Sequence, residues 1–86
     1  METKIRLRTH DGSNNYLEQI KDRPNTYRLV TSINYIRGGQ ISDGRGFIDP
    51  SGGPMLVVGE KIDGTDYVIE SISFEKGVGH ILTLKK

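Results

Sequence analysis

The sequence predicts an all-β fold, or an α+β fold with one short helix, and three observations carry that expectation. Alanine is absent from the 86 residues, and a chain without the best helix former has little means of building long helices. Ile, Val and Thr together number 21, and branching at Cβ favours the pleated strand. Eleven glycines punctuate the chain, where they open tight turns between short strands. The expected architecture is a small five- to six-stranded antiparallel barrel or roll ending in a three-stranded meander, because closure removes the exposed edges of short sheets.

The elements follow in order. Over residues 3–9, Ile5 and Leu7 alternate with Lys4, Arg6 and Arg8, which predicts a strand with one apolar and one basic face. Residues 10–15 are turn-forming. Tyr16 to Lys21 admits two readings: a short helix capped by Asn15 with Glu18 as the capping-box partner, or a strand. Asp22-Arg23-Pro24-Asn25 ends the segment under either reading. Residues 26–37 form a second extended region, in which Tyr27 and Leu29 alternate with Arg28; a change of phase near Val30 predicts a bulge or two directly joined strands. Residues 38–54 read as a Gly-rich loop holding six of the glycines and two of the three prolines. Its Ile41, Phe47 and Ile48 mark it as functional or folded on itself, since a free linker has no need of them. A strand over 55–62, a turn at Asp63-Gly64, a strand from Tyr67 to Phe74, a turn at Glu75-Lys76-Gly77 and a strand from His80 to Lys85 make the C-terminal meander.

Length confines residues 1–86 to one domain. Leu, Ile, Val and Phe number 6, 10, 5 and 2, enough for one thin core that a partner chain would help to complete. Cysteine is absent, which excludes a disulfide framework, a thiolate metal site and a cysteine nucleophile. With no apolar N-terminal stretch and no run long enough to span a bilayer, the expected location is cytoplasmic and no membrane partner is expected.

No catalytic residue emerges. Ser51, His80 and Asp49 can be drawn as a triad, but nothing in their spacing favours it over chance, so a non-enzyme is expected. No metal site is expected either: Asp43, Asp49, Asp63 and Asp66 sit in turns, where aspartate bonds its own backbone. No cofactor is implied. The stretch 37–54 does offer a candidate anion site, in which Arg37 and Arg45 flank a backbone nest at Ser51, Gly52 and Gly53. The competing reading makes the same stretch a structural cap built on Phe47 and Ile48. A basic face of Lys4, Arg6, Arg8 and Arg28 is the second candidate surface. Residues 1–45 carry eight basic and five acidic side chains, net +3, and residues 46–86 carry four and six, net −2. Such an imbalance suits head-to-tail assembly as well as it suits an anionic ligand.

These observations rank three functions. The first is a non-catalytic interaction or assembly module whose partner is itself, as a homo-oligomer, or another protein. The second is a binder or sequesterer of a small phosphate- or nucleotide-bearing ligand through the Gly/Arg-rich loop. The third is a weak single-strand nucleic-acid binder, which the modest basic excess argues against. The alanine-free composition, rich in Ile and Lys, resembles that of small accessory proteins of AT-rich bacteria, their phages and mobile elements; it assigns no residue a role.

Overall fold

The computed structural model describes residues 3–7, 15–31, 36–50 and 54–86. Those residues form eight strands and no helix, arranged in two antiparallel sheets. The larger sheet contains β1 (Lys4–Arg6), β2 (Asn15–Gln19), β3 (Thr26–Thr31), β7 (Val68–Glu75) and β8 (Gly79–Lys85), in the order β1-β2-β3-β8-β7. The smaller contains β4 (Ile36–Gln40), β5 (Gly46–Pro50) and β6 (Leu56–Val57), in that order. No strand pairing closes either sheet into a barrel among the described residues. No helix among the described residues is long and apolar enough to cross a membrane.

The two-residue period at the N-terminus holds: Ile5 is buried between exposed Lys4 and Arg6. The helical alternative for residues 16–21 is corrected, because the segment is β2, paired to β1 on one side and β3 on the other. One isolated helical turn would fix several dihedrals for a single hydrogen bond. Two flanking strands instead satisfy the backbone along its whole length. Asn15 therefore caps nothing. It is buried opposite Thr31 in the β2–β3 register, where its Oδ1 accepts from the Thr31 hydroxyl. The β2–β3 turn places Asp22 and Asn25 at φ of 67° and 66°, the left-handed region that Asp and Asn tolerate best among side-chain-bearing residues.

The stretch 38–54, loop-like in composition, contributes most of the β4–β5 hairpin. Its register pairs Arg37 with Asp49, Gly38 with Ile48 and Gly39 with Phe47. The extended region from residue 26 divides into β3 and β4, which belong to different sheets; residues 32–35, where the join falls, lie outside the described residues.

The expected strand over 55–62 is also divided. Leu56 and Val57 pair with β5, the chain turns at 58–60 with Gly59 at φ 92°, and only then does it meet β7. There Gly59 N–H donates to Ile69 O at 2.7 Å, Ile69 N–H donates to Glu60 O at 3.0 Å, and Lys61 bridges Val68. The meander is thus the β7–β8 hairpin with one short bridge beside it. The positive φ of Gly59 is what lets one run of chain serve both sheets.

The core lies between the sheets. Ile5, Leu17, Tyr27, Leu29, Ile69, Leu82 and Leu84 from the larger sheet meet Ile48 and Leu56 from the smaller, with Ile62 between them. Leu17 and Leu82 are fully buried. Ile81 is buried too, yet it is outside this cluster: its register opposite Arg28 and Ser73 puts it on the outer face of the larger sheet.

Candidate interaction cleft

Strand alternation sets which side chains face the gap between the sheets. On the smaller sheet the inward positions of β4 and β5 are Ile36, Gly38 and Gln40, paired with Pro50, Ile48 and Gly46. Facing them on the larger sheet, Ile72 is paired with Leu82 and Phe74 with His80. At one end Ile48 and Leu82 fill the space. On the same wall, Gly38 beside Ile48 and Gly46 beside the exposed Gln40 have no side chain to offer. The core stops there and a cleft of about 400 Å³ opens between Gly38, Gly39, Gly46 and Phe47 on one wall and Ile72, Ser73, Phe74 and His80 on the other. That volume is at the small end of the range for ligand pockets.

Phe74 is 68% exposed on the rim of this cleft. Its ring meets His80 in an edge-to-face contact, with centroids 5.2 Å apart. Burial against this wall holds the His80 imidazole below its ordinary pKa, because the charged form loses hydration there. Phe47, half-buried, has the opposite phase to Ile48 on β5, and its ring lies over its partner Gly39, where an added Cβ would meet it at 3.6 Å. The Phe74 ring, isoleucine side chains and the imidazole make the lining apolar with one polar handle. Its chemistry suits an apolar or aromatic group better than an anion.

The residues singled out from sequence fall elsewhere. Arg37 projects from β4 and donates to Asp49 Oδ2 at 2.7 Å across the strand pair. Arg45, at the hairpin tip, donates through Nε to Asp43 Oδ2 at 2.6 Å and through a terminal nitrogen to Glu60 Oε2 at 3.1 Å. The Arg45 backbone N–H also donates to Asp43 Oδ1 at 3.0 Å, and this bond is the main cause that lowers the Asp43 pKa. The guanidinium of Arg45 is held more firmly protonated, first by its bond to Asp43. Both arginines thus already carry carboxylates. Ser51, Gly52 and Gly53 lie outside the described residues.

On the basic face, Glu18 stands between Lys4 and Arg28 in register. Arg28 donates to its Oε1 at 2.6 and 3.1 Å, and Lys4 Nζ is 4.0 Å from Oε2. Lys4 also lies 5.2 Å from the centroid of the Tyr16 ring. Arg6 is exposed opposite Tyr16, and Arg8 lies outside the described residues. One carboxylate therefore interrupts what reads in sequence as a continuous basic strip. Among the described residues, no three His, Asp or Glu side chains gather to hold a metal ion.

Sequence reasoning passed over Phe74 and considered His80 only as a member of a triad that its spacing does not favour. The signal was present: Ile72 and Phe74 keep the two-residue period after the Ile69–Ser71 bulge, and that period continues past the point where the facing strands turn to glycine. No known protein family, curated protein or solved structure compared with this chain matches it.

Proposed function

We propose that the protein is a non-catalytic interaction module that receives an apolar group of a partner protein in the cleft beside Phe74 and His80. The observation that carries this reading is the exposure of Phe74 beside a glycine wall. An exposed aromatic ring continuous with an apolar cleft makes a patch of the kind that marks contact sites, where a lone exposed ring would not. Self-association, expected from the thin core, belongs to the same reading, with the two sheets as an open roll and the cleft at its mouth. The small-anion reading is weaker, because a ligand would have to displace Asp49 from Arg37, and Asp43 and Glu60 from Arg45. The nucleic-acid reading is weaker for the same reason, with Glu18 already holding Arg28.

Amide chemical-shift titration separates these readings. Phenol, standing in for an aromatic side chain, should move Gly38, Gly46, Ser73 and His80, and Phe74→Ala should abolish the response. Inorganic phosphate should leave Arg37 and Arg45 unmoved. Shifts at those arginines with phosphate, and none in the cleft with phenol, would reverse the preference.

A further inference from the structure

We infer that the partner is a second copy of this chain, joined by antiparallel pairing of two β7 strands across their outer edges, about a two-fold axis at Ser73. This rests on the interaction reading and adds to it the identity of the partner and the register of the contact.

The first support is the state of the strand. β7 has β8 along one side. On its other side the pairing with residues 59–61 ends at Ile69. From Ser71 to Glu75 no backbone hydrogen bond is made outward among the described residues. A row of open donors and acceptors templates the addition of another strand.

The second support is the sequence of that edge, Ser71-Ile-Ser-Phe-Glu75, flanked by Glu70 at the bulge and Lys76 at the start of the turn, which complements its own reverse. With the axis at Ser73, Ile72 faces Phe74 of the other copy, Ser71 faces Glu75, and Glu70 faces Lys76, each occurring twice by symmetry. Apolar meets apolar, acid meets base, and no like charges oppose. Moving the axis one residue to Phe74 sets Ile72 against Lys76; moving it to Ile72 sets Phe74 against Glu70. Both shifts lose the match, so the pattern specifies a single register. Glu70 and Lys76 are exposed and form no ion pair among the described residues.

The third support is the position of the cleft. Ile72 and Phe74 both line it. Pairing in this register brings the exposed Phe74 of one copy beside Ile72 of the other, at the cleft mouth, where the ring leaves water. A net charge of +1 leaves little long-range repulsion between copies.

Sedimentation equilibrium of the full chain, with Glu70→Lys and Lys76→Glu alone and combined, tests the pairing. Each single reversal opposes like charges at both symmetry-related pairs and should weaken association about tenfold at low salt. The double variant restores opposite charges and should return to within about twofold of the parent, which also shows that the singles were not merely misfolded. A monomeric parent, silent single variants, or a double variant no better than the singles would each overturn the pairing. If phenol still binds the cleft in those cases, the interaction reading stands and only the partner is wrong.

Discussion

Phe74 and His80 face each other across the β7–β8 register, with ring centroids 5.2 Å apart and planes inclined at 72°. Their neighbours Ile72 and Leu82 make the same cross-strand pair one step deeper, where the smaller sheet still carries Ile48. The difference between a covered pair and an open one is thus set by what stands on the facing strands. Gly38 and Gly46 leave the outer pair uncovered.

The uncovered pair predicts a pH dependence. Burial lowers the His80 pKa from 6.5, so the unfolded chain binds the proton more readily than the folded one. Stability should be full above about pH 6.5 and fall as the pH drops towards the lower folded value, levelling off below it. A bound apolar group would bury the imidazole further and lower its pKa again, so phenol affinity should fall only as the pH drops below the folded value. Thermal melts and titrations between pH 5 and 8 measure both, and His80→Asn should flatten both profiles. The only other histidine, His10, provides the control substitution.

Truncating Phe74 should separate function from folding. With most of its surface already in water, Phe74→Ala should change unfolding free energy by no more than about 0.5 kcal/mol, as for other surface changes. Phenol binding and self-association should both fall. A large loss of stability in denaturant titration would mean that the ring belongs to the core.

Leu82 provides the opposite case. It is fully buried in the cluster that joins the two sheets, so Leu82→Ala should cost roughly 2–5 kcal/mol in denaturant unfolding. Ile72 is half-buried against the same cluster, and Ile72→Ala should cost clearly less. Equal losses would place Ile72 deeper than the cleft allows.

Arg23, in the β2–β3 turn, and Glu75, at the end of β7, are 52 residues apart and form a two-point ion pair at 2.9 and 3.4 Å. Glu75 shares the outer-face phase of Ser73 and Ile81, so the pair spans the face on which Ile81 is buried. The hydrogen bond from Arg23 holds the Glu75 carboxyl below its usual pKa. Whatever stability it adds is present above the ordinary carboxylate pKa and lost as the pH falls through the lowered folded value. Both groups are exposed, so the contribution should be small and largely erased by molar salt. Melts of Glu75→Gln against the parent at low and high salt measure it.

Much of the fold was legible because it rests on two-residue alternation. Ile5 in β1, Tyr27 and Leu29 in β3, and Leu82 and Leu84 in β8 all face inward as their spacing requires. The turn at Asp63-Gly64 is also where its residues place it, with Gly64 at φ 81°. What failed depended on partners that sequence does not display. The segment from Tyr16 is short enough to satisfy either period, and pairing with both β1 and β3 decides it. Gly38 and Gly46 read as loop because their use as side-chain-free strand positions appears only when the facing sheet is known. Arg37 and Arg45 looked available for an anion because Asp49 and Glu60, 12 and 15 residues away, are brought beside them only by folding.

The run from Leu56 to Ile62 lies in both sheets within seven residues, pairing with β5 at its start and β7 at its end. Neither sheet can peel away without pulling that run out of the other. The protein should therefore lose both at once, as a single cooperative transition. Hydrogen exchange at Ile48 and at Leu29 should report the same opening free energy, although one residue sits in the three-stranded sheet and the other in the five-stranded one.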